Sequence, residues 1–262
     1  MIFCSLYSGS SGNSIFVSSE KTKILIDAGL PGKSIVSALE NIGENPFDIN
    51  GIFITHEHMD HVKGAGILSR KYNIPLYANE KTWNAMQRWV GKISPRNIMV
   101  IGDEFTLRDM DVSTFKVPHD SVSCMGYTIA NGGKRISVAT DIGVFTEEIR
   151  RSIKDSDLIL LESNHDIEMV KFGPYPYELK RRILSELGHL SNVDSGKAAI
   201  EILKHGKKKI VLGHLSGTNN IPELAYKTVE NCLLEEKIEI GKGLDVELSL
   251  ASRVRPSSYS EV

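Results

Sequence analysis

Cysteine is scarce: Cys4, Cys124 and Cys232 are the only three in 262 residues. The count is odd and no pair has metal-ligand or redox spacing. That excludes a disulfide framework and reads as buried thiols in a reducing compartment, the cytoplasm. No stretch approaches the roughly 20 apolar residues of a membrane span. Residues 1–7 lack the basic start of an export signal, so no membrane partner is expected. Neither sign of charge dominates: 31 Lys and Arg face 33 Asp and Glu, for a net charge of −2. A uniformly basic nucleic-acid binder is thereby excluded, but a local basic groove is not. Repeats, low-complexity tracts and linkers are absent too. The chain therefore reads as one domain over residues 1–251, with a polar tail at 252–262 that is expected to fray.

What is present is an ordinary globular composition, 41% hydrophobic and 24% charged, enough to build a substantial core. Short β-rich runs fall at 2–7, 14–17 and 23–26. A helix follows at 33–42, where Ile35, Leu39 and Ile42 share one face. The pattern then predicts a strand at 51–55, a helix at 62–72, a strand at 75–78 and a helix at 80–90. Strands return at 97–101, 104–107, 112–117, 126–130 and 135–140. The remainder alternates helices at 146–153, 176–187, 193–205 and 222–236 with strands at 158–162, 208–213 and 244–250. Two successive β-then-α halves predict the α/β class: two sheets face to face with helices outside, a four-layer αββα sandwich. His56, His119, Asp141 and His214 each follow a predicted strand, where active-site loops tend to lie.

The strongest local signal is Thr55-His56-Glu57-His58-Met59-Asp60-His61, in which H-x-H-x-D-H puts three histidines and an aspartate into six residues. A turn between a strand ending at Thr55 and a helix starting near Val62 can aim His56 and His58 at one point and Asp60 and His61 at a neighbouring one. Imidazole suits zinc and its first-row neighbours, while carboxylate suits harder ions such as manganese. The mixture points to two adjacent divalent ions, and chance clustering of three histidines is improbable.

This motif after an apolar strand resembles the signature of the metallo-β-lactamase superfamily. The superfamily's other marks occur in order: Asp27 in Leu25-Ile26-Asp27-Ala28-Gly29, His119 after Val117-Pro118, Asp141 after Ala139-Thr140, and His214 in Leu212-Gly213-His214-Leu215. The resemblance assigns His56, His58 and His119 to one metal and Asp60, His61 and His214 to the other. Asp141 would bridge them and Asp27 would orient the motif from behind. On its own Asp27 reads equally as a turn residue. The implied cofactors are two divalent ions, zinc or manganese, with iron also admitted. Asp60 would serve catalysis as well as binding, with a hydroxide shared by the two metals as nucleophile.

Which hydrolase this is depends on residues outside the cluster. The loop Ser8-Gly9-Ser10-Ser11-Gly12-Asn13-Ser14 can offer N–H groups and hydroxyls to an oxyanion, or can be a plain hairpin loop. Ser11, Asn13, Asn164 and His165 are the candidates to touch substrate, although His165 could instead close a turn. His189, in Gly188-His189-Leu190-Ser191-Asn192, resembles the non-ligand histidine of the tRNase Z branch, which is thought to protonate the leaving group. It could otherwise cap a helix. Together with Glu162-Ser163-Asn164-His165-Asp166 and Gly213-His214-Leu215-Ser216-Gly217-Thr218-Asn219-Asn220, these segments resemble the YycJ/WalJ group of bacterial proteins. That resemblance implies phosphodiester hydrolysis, with DNA favoured over RNA and cutting from the five-prime end. The segment between His119 and Asp141 is too short for the insertion domain of β-CASP nucleases, and no tRNA-gripping arm is evident. Lys180, Arg181 and Arg182, or Lys204, Lys207, Lys208 and Lys209, would then contact phosphates unless they are simply solvated faces. The same metal set also serves thioester or small cyclic phosphodiester hydrolysis, and a non-enzymatic sensor would be expected to have lost ligands.

Overall fold

The computed structural model describes residues 1–262. Its first sheet has the order β14-β1-β2-β3-β4-β5-β6 and its second the order β13-β12-β11-β10-β9-β8-β7, seven strands each. In chain order the first sheet comprises β1 (Ile2–Tyr7), β2 (Ser14–Ser18), β3 (Lys23–Ile26), β4 (Gly51–Phe53), β5 (Leu76–Ala78) and β6 (Ile98–Val100). Helices α1 (Gly32–Asn41), α2 (Met59–Val62), α3 (Ala65–Tyr72) and α4 (Glu80–Val90) are interleaved with them. The second sheet comprises β7 (Glu104–Leu107), β8 (Met110–Lys116), β9 (Met125–Asn131), β10 (Lys134–Ala139), β11 (Leu158–Glu162), β12 (Lys208–Gly213) and β13 (Val246–Leu250). Its helices are α5 (Glu147–Ile153), α6 (Ile167–Phe172), α7 (Tyr177–Ile183), α8 (Asn192–Leu203) and α9 (Pro222–Glu235). The last strand, β14 (Ser260–Glu261), returns to the first sheet.

Three apolar layers establish the sandwich. Phe3, Val17, Phe53, Tyr127, Val138 and Leu160 meet between the sheets. Ile35, Leu39, Leu68 and Met86 pack helices on the outside of the first sheet, and Ile149, Ala199, Ile202 and Val229 do so on the second. The expected αββα order is present.

Four sequence expectations need correction. The helix expected over 62–72 is two helices, with Gly64 between them. A Cβ on Gly64 would lie 2.3 Å from the Leu30 carbonyl oxygen, and its N–H donates to the Ala28 carbonyl. This close approach ends α2, and α2 starts early enough that Asp60 and His61 are helical. The helix expected over 176–187 stops at Ile183, because the next residues turn back so that His189 N–H reaches the Ile183 carbonyl. α6 was not expected; it is six residues long and buries only Val170, too little to give a periodic signal. Finally, the polar tail does not fray. Ser260 and Glu261 pair with Phe3 and Ile2, and Ser257 N–H donates to the Ser5 carbonyl. No helix is long and apolar enough to cross a membrane. Cys4, Cys124 and Cys232 are all unpaired, the first two buried and the third half-buried.

Candidate metal centre

The site gathers at the C-terminal ends of strands from both sheets. β3 leads to Asp27, β4 to His56, β8 to His119, β10 to Asp141, β11 ends in Glu162, and β12 leads to His214. Three of these residues sit at left-handed backbone angles: Asp27 at φ 63°, Asp141 at φ 60° and His214 at φ 54°. Such angles cost a non-glycine residue roughly 1–2 kcal/mol. They occur here where a strand ends and the side chain must turn into the groove between sheets.

The ligand atoms of His56, His58 and His119 lie within 4.8 Å of one another, and so do those of Asp60, His61 and His214. Asp141 reaches toward both groups: Oδ2 is 3.3 Å from His61 Nε2 and Oδ1 is 3.7 Å from His119 Nε2. The structure brings these residues together, and the same closeness holds for His56, His61 and Asp141 and for Asp141, Glu162, His189 and His214.

Four of the five rings, all but that of His58, are oriented from their other nitrogen. His61 Nδ1 lies 2.7 Å from Asp27 Oδ2, and His119 Nδ1 lies 3.1 Å from the Gly188 carbonyl. His214 Nδ1 lies 2.8 Å from Glu162 Oε1, and His56 Nδ1 lies 3.0 Å from the Thr55 hydroxyl. Asp27 also accepts from the Thr55 N–H at 2.9 Å. Such partners fix the tautomer that aims Nε2 inward and make it a better ligand. The inward atoms His56 Nε2, His214 Nε2 and Asp141 Oδ2 are buried without a hydrogen-bond partner. Buried polar atoms are costly to leave unmet, and the mixed imidazole and carboxylate set suits divalent cations, so the residues fit a metal.

Electrostatics point the same way. Burial opposes charge on His61, but Asp141, Asp27 and Asp60 outweigh it and raise its pKa well above the ordinary imidazole value. Burial likewise opposes charge on His214, yet Asp141, Asp60 and Glu162 push it up to about 10. Asp27 is raised by its own burial despite His61; a single proton shared across their 2.7 Å contact accounts for both directions. His56 is pushed well down, by burial and then by neighbouring imidazoles. The carboxylates around His61 and His214 favour positive charge there, as a bound cation would supply.

Glu162 is the residue sequence reasoning missed. It is fully buried. Oε1 accepts from His189 Nδ1 and His214 Nδ1, each at 2.8 Å, and Oε2 accepts from the Ile142 and Leu190 N–H groups. Burial alone would raise its pKa, but His189 and His214 pull it below the usual carboxylate range. The only advance signal was a carboxylate closing an otherwise apolar strand, Leu158–Glu162.

His189 stands at the mouth, its side chain 19% exposed, and its Nδ1 is 3.9 Å from Asp141 Oδ1. Asp60, with its side chain 27% exposed, and the half-buried His58 are also accessible. Burial works against ionisation of Asp60, but His61 and His214 hold it well below the usual carboxylate range. Among the substrate candidates, Ser11 is exposed in the loop and Asn164 lines the cleft beside His189. Asn13 is buried and engaged, accepting from the Gly9 N–H at 2.9 Å and lying 3.2 Å from His61 Nε2. His165 is not brought to the cluster. It is buried, forms an isolated parallel bridge with Ser191 in which its carbonyl accepts from the Asn192 N–H, and burial lowers its pKa to about 4. Lys207 and Lys209 donate to the Gly243 and Glu261 carbonyls at the start of β12. His214 lies at the other end of that strand, roughly 20 Å away at about 3.3 Å per residue, so this basic run is not a grip at the site.

A histidine and carboxylate cluster across the strand ends of an αββα sandwich defines a hydrolase of the metallo-β-lactamase type, and its donor set is one for divalent ions. Residues 22–215 match the model described as "Beta-lactamase superfamily domain". The chain is 45% identical over 240 residues to Exodeoxyribonuclease WalJ of Streptococcus pneumoniae, covering 90% of this chain and 89% of that protein. It is 41% identical over 246 residues to Exodeoxyribonuclease YycJ of Bacillus anthracis, covering 93% of each. In fold alone it is similar to Zn(2+)-bound PqqB from Methylobacterium extorquens, with a TM-score of 0.71, 18% identity and coverage of 98% and 100%. The chain belongs to the WalJ/YycJ family of the metallo-β-lactamase superfamily.

Proposed function

We propose that this protein is a two-metal exonuclease that hydrolyses DNA phosphodiesters from the five-prime end. The similarity to proteins named exodeoxyribonucleases supports the substrate. The chemistry rests on one observation: Glu162 holds His189 by Nδ1, leaving the other ring nitrogen at the mouth of the cluster. His56, His58 and His119 would hold one ion, Asp60, His61 and His214 the other, with Asp141 between them. When bound, two zinc or manganese ions would supply a hydroxide at neutral pH and neutralise charge on the phosphate. Asp60, the accessible carboxylate, orients the attacking water. His189 donates its proton to the departing alkoxide oxygen, and Glu162 steadies the ring while it is charged. The Asp27, Thr55 and His61 contacts hold the ring geometry throughout. Three unpaired thiols suit a cytoplasmic setting.

A thiolate leaves with little help from an acid, so the thioester reading gives His189 no task. The test is cleavage of end-labelled single- and double-stranded DNA and RNA with manganese or zinc, using Asp60→Ala as the inactive control. His189→Ala should lower kcat on DNA by about 10²–10⁴ while bound metal, measured by elemental analysis, is retained. Full activity in that variant, or cleavage of thioesters and not DNA, would overturn the reading.

A further inference from the structure

Between Glu162 and His189, two neighbours at the site, the chain makes an excursion through α6 and α7. Its tip is Gly173-Pro174-Tyr175-Pro176-Tyr177. Phe172 is 83% exposed and Tyr177 71% exposed, an unusual display of rings for a short surface segment. Two prolines restrict the backbone on either side of Tyr175, so the rings are presented without much flexibility to lose on binding. Gly173 is needed at the base: a Cβ there would lie 2.3 Å from the Met169 carbonyl oxygen and 2.9 Å from Asn219 Oδ1. Tyr175 and Arg182 from this excursion line one cleft of about 160 Å³ together with His189 and Asn164. Tyr175 thus reaches the cleft at the mouth of the metal site, and Phe172 and Tyr177 flank it two or three residues away in the chain.

Three cations of the excursion lie beside carboxylates, whereas Lys180 has none and its Nζ donates to the Lys171 carbonyl at 2.9 Å. Lys171 pairs with Glu168 at 2.9 Å, Arg181 lies 3.9 Å from Glu178, and Arg182 pairs with Asp120. Exposed rings stand out on this surface beside these cations, with Arg181 5.9 Å from the Tyr177 ring centroid. Aromatic faces bind unstacked bases of any sequence, whereas paired bases in a duplex keep their faces covered.

We propose that Phe172 and Tyr177 form a stacking platform for the unpaired terminal bases of a single-stranded DNA end, with Tyr175 guiding the strand into the His189 cleft. This rests on the nuclease reading and adds a preference for single-stranded or frayed ends. The test uses the metal-loaded protein and a phosphorothioate dT12 strand that resists cleavage, compared with a blunt 12-mer duplex, both by fluorescence anisotropy. Phe172→Ala with Tyr177→Ala should weaken single-strand binding by about 100-fold, ten-fold per ring, with a much smaller effect on the duplex. The slope of log affinity against log salt should match the unaltered protein, because no phosphate contact is removed. Phe172→Tyr with Tyr177→Phe should restore binding, and thermal melting checks folding of both variants. Single-strand affinity within two-fold of the unaltered protein, or equal losses on strand and duplex, would overturn the platform. If DNA is cut normally but the rings do not matter, the platform fails and the nuclease reading stands. If strand binding depends on the rings but no DNA is cut, the platform stands and the nuclease reading fails.

Discussion

At the scale of single residues, the site is organised by what lies behind the ligand rings. Glu162 holds the rings of both His189 and His214 through one oxygen. Glu162→Gln keeps the shape and removes the charge. It should lower metal affinity about 10–100-fold, as loss of such a partner typically does, and lower kcat as well. His189→Ala should leave metal affinity alone, so metal titration of the two variants separates the roles. His165 gives a pH signature away from the cluster. Burial holds its folded pKa at about 4, against about 6.5 unfolded. The unfolded chain therefore binds the extra proton between these values, and stability present above pH 6.5 is lost as pH falls toward 4. Between pH 7 and 5 the loss is about 2 kcal/mol from this residue. Urea unfolding of His165→Gln should show that much less change over the interval, and an identical change would remove His165 from the account. The candidate ligands were legible in sequence because H-x-H-x-D-H stands out after an apolar run and the later Asp and His residues match, in order, the superfamily pattern that the chain resembles. Glu162 was not, because its burial and its two imidazole partners exist only once β11 lies between β10 and β12. His165 looked equally suited to substrate or turn; its burial and its bridge to Ser191 exist only once the chain has folded.

At the scale of elements, backbone approach sets where side chains point. Gly64 lets the chain pass the Leu30 carbonyl and breaks what periodicity alone reads as one helix. The break lets α2 carry Asp60 and His61 into the cluster. Gly64→Ala would force a Cβ to within 2.3 Å of that oxygen and should cost roughly 1–3 kcal/mol, the usual penalty of overpacking. Thermal denaturation of the apo protein measures it, and an unchanged Tm would mean the junction is slack. Shortening of α7 has a comparable purpose: the residues after Ile183 turn so that the Gly188 carbonyl meets His119 Nδ1. Hydrophobic periodicity reports burial along one element and is silent about such carbonyl positions, which is why strand and helix identities were legible while these ends were not.

At the scale of the whole molecule, two sheets share one apolar layer and offer their strand ends to one site. The polar tail takes part in this. β14 covers the edge of β1, and a Cβ at Gly9 in the 8–14 loop would lie 2.5 Å from Arg253 Cγ. Its composition predicted fraying, because two backbone pairs on an edge strand leave no hydrophobic pattern to read. Ending the chain at residue 251 should therefore lower Tm and expose an edge prone to association, detectable by melting and light scattering. An unchanged melt would show that the tail only rests on the sheet.

Seven side chains from both halves of the sandwich converge near Asp141, and the proposed chemistry requires them to hold two divalent ions. Metal content per chain, measured by elemental analysis for the unaltered protein and for Asp141→Gly, tests it most directly. Glycine adopts the positive φ of this position without strain, so the variant removes the carboxylate while keeping the turn. The account predicts two ions per chain in the unaltered protein and fewer than two in the variant. Two ions retained in Asp141→Gly, or fewer than two in the unaltered protein under saturating manganese or zinc, would contradict it.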